Sequence, residues 1–567
     1  IDDALRMDNV GDVKILPDGS SVFYSISSLD WSKNERTKRY FLASADGSSV
    51  REYIGRAGGE SFSFSPDGKS LAFLREVESD GDSDEPEMQL FIMPTNGGEA
   101  IQVSEHPGKI VDYKWSPDVK TIFFVAEEAY DEETEKEIKL GADPVFVDEA
   151  PNGKERARFS NIWELDLIDG KDARKITDEK LIIDEFALGS DNATIIFVAR
   201  PDDRTNYGHF AELYIYRDGK LERLTSNEAP ESLPLISPDA SKLAYRAPSD
   251  EGFELRSGYF WVMDLETREK HRLDGQKTGE VFGAVTWSAD STSLIYNEQH
   301  GVNTNLYEIN TVNGVAKALT NKTGIRRAQA FSADAKTVAY VFEDHTSPRD
   351  VYVSDLSLSE PVRLTDANPW IREDRTLTQG EVLQWEGKGG MLIEGIYYPP
   401  VRKGRSSGKD PLIVFIHGGP PAAWEANFRE DFQIMTNAGY AILAPNPRGS
   451  QGYGEEFLQA LRGEVGDGEF IDMMNGVDHV IANKNVDPDR LGVSGWSWGG
   501  VATSYTVTQT QRFKAASIGA MVGNWAAETG PGFNFDVALW YIGGTPWDNP
   551  EEWAKRSSIT HVKNVTT

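Results

Sequence analysis

The clearest candidate for chemistry is the pentapeptide Gly-Trp-Ser-Trp-Gly at positions 495–499, in which Ser497 lies between two glycines. The residues before it, 490–494, predict a buried strand, and residues 500–510 predict a helix. So tight a turn strains the backbone of the serine and brings the flanking positions too close together for a Cβ. The strain would push the Ser497 hydroxyl above the sheet, in front of a helix N-terminus that favours developing negative charge.

A second motif lies upstream, where an apolar run at 411–416 ends in His-Gly-Gly-Pro at 417–420. This loop and the later strand–serine–helix turn match the oxyanion loop and nucleophile elbow of α/β-hydrolases. The backbone N–H groups of Gly419 and Trp498 are therefore the candidate oxyanion donors. His417 precedes the serine, whereas the base follows it in this fold, so we predict that His417 is a structural hydrogen-bonding residue.

The composition limits the class of protein. A chain of 567 residues is too long for one hydrophobic core, so two or more domains are expected. A net charge of −33 argues against nucleic acid and anionic membranes as partners, and no apolar run approaches the roughly 18 residues of a membrane span. The absence of cysteine excludes disulfides, thiolate metal sites and a cysteine nucleophile, and we expect no cofactor and no metal.

The first residue is Ile1 and not methionine. A cleaved secretory signal would explain this, and a secreted or periplasmic location would follow. A cropped chain is the other explanation, and it leaves a cytoplasmic location open.

A repeat occupies residues 10–370, after a lead-in segment at 1–9. Each unit has a strand, a turn resembling Ser-Pro-Asp-Gly, a second strand and two further short strands. Proline fixes φ, the aspartate caps the turn and glycine takes the positive φ. Seven such units predict a seven-bladed β-propeller, because a β-sandwich would not repeat the same turn seven times. The turns centre on Asp18, Asp67, Asp118, Asp191, Asp239, Asp290 and Asp334.

Two charged segments interrupt the repeat, an insertion at about 127–158 and an acidic loop at 76–87. Within the loop, Asp80, Asp82 and Asp84 imitate the start of a calcium-binding loop. However, Glu85 stands where that loop needs glycine, and position 91 lacks the final glutamate. We interpret this loop as a solvated hairpin tip.

After Trp370 the repeat stops, and residues 371–567 predict an α/β-hydrolase domain. The glycine-rich segment 448–454 does not match G-x-G-x-x-G, so nucleotide binding is not expected. The predicted elements of this domain, besides the two motif strands, are a hairpin at 380–400, helices at 428–438 and 469–484, and strands at 440–445 and 515–518.

These features resemble the prolyl oligopeptidase family of serine peptidases, and the branch of acylaminoacyl peptidases and bacterial dipeptidyl peptidases in particular. The resemblance covers nearly the whole chain and is most specific in the last 200 residues or so. Val501 departs from it, since an aromatic residue usually follows the two glycines. The matching segments are H-G-G-P at 417–420, N-P-R-G-S-x-G-Y-G at 446–454, V-D-P-D-R-L-G-V-S-G-W-S-W-G-G at 486–500, R-F-K-A-A at 512–516 and G-G-T-P-W at 543–547.

The resemblance implies roles for five residues. Ser497 would be the nucleophile, and the Gly419 and Trp498 amides would form the oxyanion hole. Val522 and Trp525 match positions that line an apolar S1 pocket, with plain core packing as the alternative.

The resemblance also implies a triad Asp and His after a further strand, which would lie beyond Thr567. The hydrolase domain of this chain is therefore expected to be C-terminally incomplete. His561 is the only histidine after Ser497, and it matches a non-catalytic loop residue. Asp536 and Asp548 do not follow a sheet strand at the required place.

The predicted function is a serine peptidase that hydrolyses short peptides through an acyl-enzyme on Ser497. It would act as an oligopeptidase or as an exopeptidase of the dipeptidyl- or acylaminoacyl-peptidase type, with the propeller restricting access. Two alternatives stay open: an esterase or isopeptidase on the same elbow, and a binding propeller with an inactive hydrolase domain. Peptides are the expected partners, and because relatives are often dimers or larger, a homo-oligomer is also expected.

Overall fold

The computed structural model of the protein describes residues 2–54, 58–77, 87–129, 136, 140, 158–168, 173–201, 210–227, 229–248, 257–402, 408–529 and 535–567. Most of the predicted acidic loop at 76–87, with Asp80, Asp82, Asp84 and Glu85, lies outside these residues, and so does most of the predicted insertion at 127–158.

Before residue 364, the described residues form seven successive groups of four strands, and neighbouring strands within a group are antiparallel. The first three groups are β1 (Asn9–Ile15), β2 (Ser21–Asp30), β3 (Glu35–Ser44) and β4 (Val50–Ile54); β5 (Glu60–Phe64), β6 (Ser70–Val77), β7 (Glu87–Pro94) and β8 (Ile101–Gln102); and β9 (Ile110–Trp115), β10 (Thr121–Glu127), β11 (Ser160–Asp166) and β12 (Arg174–Lys175).

The fourth and fifth groups follow the same pattern, and the sixth and seventh share one sheet through a parallel pair, Thr304 with Ile325. These groups are β13 (Ile182–Leu188), β14 (Ile195–Arg200), β15 (Glu212–Arg217) and β16 (Lys220–Arg223); β17 (Ser232–Ile236), β18 (Lys242–Ala247), β19 (Tyr259–Asp264) and β20 (Lys270–Arg272); β21 (Thr286–Trp287), β22 (Ser293–His300), β23 (Asn303–Asn310) and β24 (Ala316–Ala318); and β25 (Ile325–Phe331), β26 (Thr337–Asp344), β27 (Ser347–Asp355) and β28 (Val362–Arg363).

The seven predicted turns lie between the first and second strands of the groups. In each, the aspartate Oδ1 accepts a hydrogen bond from the N–H two residues later, as Asp67 does from Lys69 at 3.1 Å. The residue after the aspartate has a positive φ in all seven, but it is glycine in only two, Gly19 and Gly68. Glycine takes this conformation in the two turns that contain it, as predicted; in the other five, which have no glycine at this position, Val119, Asn192, Ala240, Ser291 or Ala335 is left-handed beside the same aspartate hydrogen bond.

The first and seventh groups pack against each other. Val10 and Val22 share one buried cluster with Ala339, Val351 and Val353. The beginning and the end of the β-only part therefore lie side by side.

Residues after 380 form a six-stranded mixed sheet in the order β29-β30-β32-β31-β33-β34. The first two strands are the predicted antiparallel hairpin, and the last four run parallel. The strands are β29 (Glu381–Glu386), β30 (Leu392–Tyr398), β31 (Asp410–Ile416), β32 (Ala441–Asn446), β33 (Val486–Trp496) and β34 (Phe513–Gly519).

Helices flank this sheet at positions close to the predicted ones. The helix after the elbow begins at Trp498, two residues earlier than expected, because Ser497 itself is the N-cap. None of the helices in the described residues is long and apolar enough to cross a membrane. The helices are α1 (Asp2–Arg6), α2 (Pro369–Asp374), α3 (Glu430–Ala438), α4 (Glu455–Gln459), α5 (Asp467–Asn483), α6 (Trp498–Gln509), α7 (Phe535–Ile542) and α8 (Pro550–Arg556), with 3₁₀ turns at Lys388–Gly390, Trp525–Thr529 and Ser558–Asn564.

Candidate active site

Ser497 lies at the sharp bend between β33 and α6. Its backbone has φ +58° and ψ −125°, a conformation that residues with a Cβ rarely adopt. Its N–H donates to the Gly519 carbonyl at 3.0 Å, and its own carbonyl accepts from the Val501 N–H at 3.0 Å. Ser497 is exposed, so its hydroxyl is accessible to a substrate.

The glycines around the serine are there because the backbone is too crowded for side chains. A Cβ on Gly495 would lie 2.2 Å from the Gly499 carbonyl oxygen, and a Cβ on Gly499 would lie 2.2 Å from the Ile416 carbonyl oxygen. This confirms the close approach that the motif predicts.

The oxyanion loop, residues 417–429, reaches Ser497 because of the strand register. β31 and β33 are parallel and pair Ile416 with Gly495, so the residues that follow both strands emerge at the same edge of the sheet. A Cβ on Gly418 would lie 3.3 Å from the Ser497 Cβ. Gly419 has φ +121°, which favours glycine at this position.

Trp498 occupies the first position of α6, where hydrogen bonds within the helix leave the N–H without a partner. Ser497, the Gly419 segment and this N–H group are thus brought together at one edge. The arrangement suits acyl transfer, in which amides near the nucleophile stabilise a tetrahedral oxyanion. The individual donor roles of Gly419 and Trp498 stay predictions.

His417 is held away from the chemistry by two hydrogen-bonding neighbours. Its Nδ1 lies 2.8 Å from the Gly418 carbonyl oxygen, and its Nε2 lies 2.9 Å from Ser450 Oγ. Burial lowers the pKa of His417 to about 4, so the ring is neutral at pH 7. These contacts fit the structural role that the chain order predicts.

Sequence reasoning missed Glu469, which lies behind the elbow. Its carboxylate accepts hydrogen bonds from Trp498 Nε1 at 3.0 Å and from the Gly466 N–H at 2.9 Å. The side chain is buried, and burial raises the pKa of Glu469 to about 6. A signal was present, because a glutamate three residues after the N-cap of α5 is half of a capping box.

A second missed residue is Asp472, which anchors the loop after β32. Its carboxylate oxygens lie 2.7 Å from Arg448 Nε and 2.9 Å from Arg448 Nη2, and both residues are buried. It also accepts from the backbone N–H groups of Arg448 and Lys388. The sequence marks the glycine-rich loop but contains no local sign of this partner.

The predicted S1 residues lie close to the elbow but differ in exposure. Trp525 is 3% exposed, and its ring centroid lies 5.6 Å from that of Trp498. Val522 is half-buried at the edge of the same apolar cluster. Trp525 is therefore part of the core, whereas Val522 is partly exposed, and its place in an S1 pocket stays a prediction.

His561 and Asp548 contact residues other than Ser497. His561 Nε2 lies 2.9 Å from the Lys555 carbonyl oxygen, and its ring packs against Tyr505. Tyr505 is eight residues along α6 from Ser497, or about 12 Å at the usual helical rise. Asp548 accepts from the Thr545 hydroxyl at 2.5 Å, and Asp536 lies within α7.

Residues 426–567 match the model of the prolyl oligopeptidase family. An uncharacterised peptidase of Bacillus subtilis, YuxL, is 26% identical over 100% of this chain and 89% of its own length. Dipeptidyl-peptidase 5 of Porphyromonas gingivalis is 24% identical over 99% of this chain and 85% of its own.

Solved structures show a similar fold. Acylaminoacyl peptidase of Pyrococcus horikoshii superposes with a TM-score of 0.79 at 21% identity, over 99% of this chain and 85% of that one. A puromycin-hydrolysing peptidase of Mycobacterium tuberculosis superposes with a TM-score of 0.70 at 17% identity, over 99% and 85%. The shared architecture is a propeller-type β part followed by a hydrolase part.

Proposed function

We propose that this chain, which belongs to the prolyl oligopeptidase family of serine peptidases, hydrolyses short peptides through an acyl-enzyme on Ser497. The observation that carries the proposal is the exposed Ser497 at its strained bend, beside the loop that begins at His417. The serine Oγ attacks the peptide carbonyl, and the Gly419 and Trp498 amides stabilise the oxyanion. The amine then departs and water releases the acyl group.

We further propose that residues beyond Thr567 supply the Asp and His of the triad. The outer strand supports this, because β34 is at the edge of the sheet and its residues 514–518 are exposed. A groove of about 690 Å³ lies over β31, β33 and β34 and includes Leu412, Val493 and Ala516. A further parallel strand could pair with this edge and bring its following loop towards Ser497. Without a base, the serine keeps its proton and only binding and oxyanion stabilisation remain.

The β-only part is proposed to close into a seven-bladed ring that covers the site. The support is the shared core between its first and seventh groups, through Val10 and Val351. A ring of this kind admits short or unfolded peptides and excludes folded proteins.

For the substrate class, we propose exopeptidase activity. Relatives carry two different names, dipeptidyl-peptidase 5 and acylamino-acid-releasing enzyme. A dipeptidyl-peptidase requires a free substrate amine, whereas an acylaminoacyl-peptidase requires an acylated one. Comparing kcat/KM for the same peptide with a free and an acetylated N-terminus separates them, and an aminoacyl ester tests the esterase alternative.

Fluorophosphonate labelling of the complete protein, followed by peptide mapping, tests the nucleophile. We expect the label on Ser497, and Ser497→Ala should abolish both labelling and peptide hydrolysis. Ser494→Ala, three residues earlier in β33, is the matched control and should be labelled as the unaltered protein is. Labelling that survives in Ser497→Ala would refute the assignment.

A further inference from the structure

The hairpin between β22 and β23 inserts into the α/β part of the molecule. Val302, at its tip, is 1% exposed and belongs to a buried cluster with Ile396, Tyr398, Ala426 and Phe432. A residue of the β-only part is thus part of the core of the hydrolase part. Burial of this kind fixes the hairpin relative to the sheet that carries Ser497.

Backbone and side-chain hydrogen bonds extend this contact to the loops that border the nucleophile. The Ala426 N–H, in the oxyanion loop, donates to the Val302 carbonyl at 2.7 Å. The Gly301 N–H donates to the Gly452 carbonyl at 2.7 Å, in the loop after β32. In that same loop, the Gln451 N–H donates to the Ala422 carbonyl at 3.0 Å. One hairpin therefore contacts both loops, and the two loops contact each other.

An ion pair between Arg327 and Glu425 also connects the β-only part to the oxyanion loop. Arg327, in β25, places Nη2 2.5 Å from Glu425 Oε2, and Thr304 Oγ1 lies 3.3 Å from Glu425 Oε1. The side chains of Arg327 and Glu425 are 25% and 15% exposed, so water screens the pair only weakly. The Arg327 guanidinium also lies over the Phe282 ring, 4.9 Å from its centroid, which restricts its own movement.

We propose that Arg327, through Glu425, is a positioning residue that holds the oxyanion loop in its productive geometry. Residues 417–429 have no helix or strand of their own between β31 and α3. Glu425 follows Gly419 by six residues, and its neighbour Trp424 is tied to Asn446 Oδ1 by its N–H at 2.7 Å. The hydrolase part thus holds this loop at Trp424, and the β-only part holds it at Glu425.

Displacement of an oxyanion donor by a fraction of an ångström weakens its hydrogen bond to the developing charge. The β-only part is therefore a component of the catalytic apparatus as well as a filter for substrates. This inference rests on the proposed function, since it concerns the same oxyanion hole.

The test is Arg327→Gln in the complete protein. Arg375→Gln is the control, because Arg375 is also an arginine paired with a carboxylate distant in sequence, with Nε 2.7 Å and Nη2 2.9 Å from the carboxylate of Asp3 in α1, and its ion pair does not involve Glu425. We expect kcat to fall at least about tenfold in Arg327→Gln, KM to change less than about twofold, and Arg327→Lys to recover part of kcat. Arg375→Gln should retain normal kcat.

Hydrogen–deuterium exchange gives a readout that does not depend on activity. Peptides covering residues 417–426 should exchange faster in Arg327→Gln and in Glu425→Gln, and at the normal rate in Arg375→Gln. If Arg327→Gln and Glu425→Gln both keep the normal exchange rate and the normal kcat, and Ser497 labels normally, this inference alone is overturned. If the unaltered protein neither labels at Ser497 nor cleaves peptides, the proposed function fails and this inference fails with it.

Discussion

Glu469 Oε2 lies 3.0 Å from the indole Nε1 of Trp498, the residue that follows the nucleophile. This hydrogen bond joins the first turn of α5 to the first turn of α6 and restrains the orientation of the Trp498 ring. An oxyanion donor is useful only if the turn that carries it is rigid, so this buried carboxylate supports the site without touching the substrate.

The stability of the Glu469→Gln variant should depend less on pH between 4.5 and 6 than that of the unaltered protein, because the amide does not titrate. Burial raises the pKa of Glu469 from 4.5 to about 6, so the folded state holds this proton more tightly than the unfolded state does. Its contribution to stability is therefore full below pH 4.5 and is lost as the pH rises through 6, by about 2 kcal/mol. In urea unfolding, the free energy of unfolding of the variant relative to that of the unaltered protein should be more favourable at pH 7.5 than at pH 4.5.

Glu551→Gln serves as the control for this measurement, because Glu551 is an exposed residue in the first turn of α8. Its effect should be small at both pH values. An equal effect of Glu469→Gln at the two pH values would show that this carboxyl group does not titrate differently on folding.

Alanine in place of Gly499 should destabilise the protein and abolish Ser497 labelling. The new Cβ would lie 2.2 Å from the Ile416 carbonyl oxygen, so the elbow must shift. We expect a loss of about 1–3 kcal/mol or more, as in other overpacked sites. Gly492→Ala in the same strand, where the nearest atoms are 3.8 Å away, should fold and label normally. Thermal unfolding and fluorophosphonate labelling measure both effects, and equal behaviour of the two variants would contradict the crowding argument.

The elbow and the oxyanion loop could be predicted because each depends on residues adjacent in sequence. Strand, glycine spacing and helix all occur between residues 486 and 509; the helix begins two residues before its predicted start, and β33 begins four residues before its predicted start. The partners that stabilise these loops could not be predicted, because they are distant in sequence. Trp498 is 29 residues from Glu469, and Arg327 is 98 residues from Glu425.

The seven turns of the repeat could also be predicted only in part from the sequence. The aspartate of each turn could be recognised because its hydrogen bonds are local. The left-handed conformation of the residue that follows it could not be predicted from residue type, because valine and alanine, as at Val119 and Ala240, rarely adopt a positive φ.

His417→Asn should make stability less dependent on pH between 4 and 6.5. Burial lowers the pKa of His417 from 6.5 to about 4, so the unfolded chain takes up a proton that the folded protein does not. The contribution of His417 is present above pH 6.5 and is lost as the pH falls towards 4, by about 3 kcal/mol. Chemical unfolding at pH 7 and pH 5 measures this loss.

His271→Asn is the control for the same measurements, since His271 is an exposed residue of β20.

The labelling of His417→Asn at Ser497 is a separate measurement. Because its ring contacts Ser450 and Gly418, the variant should still label at Ser497, though more slowly. Complete loss of labelling in a folded His417→Asn protein would instead indicate a role as base.

Val522 and Trp525 should separate into a specificity residue and a core residue. Val522 is half-buried at the edge of the cluster, so Val522→Ala should raise KM several-fold for substrates with a large apolar side chain at the scissile position. The kcat and thermal stability of Val522→Ala should change little, because the surrounding core is retained.

Trp525 is 3% exposed and packs on Trp498, so Trp525→Ala should lower the free energy of unfolding by about 3–5 kcal/mol and reduce kcat for every substrate. Steady-state kinetics on substrates with alanine, leucine and phenylalanine at this position, together with urea unfolding, distinguish the two. If Trp525→Ala changes substrate preference without loss of stability, Trp525 lines the S1 pocket itself and the core assignment is wrong.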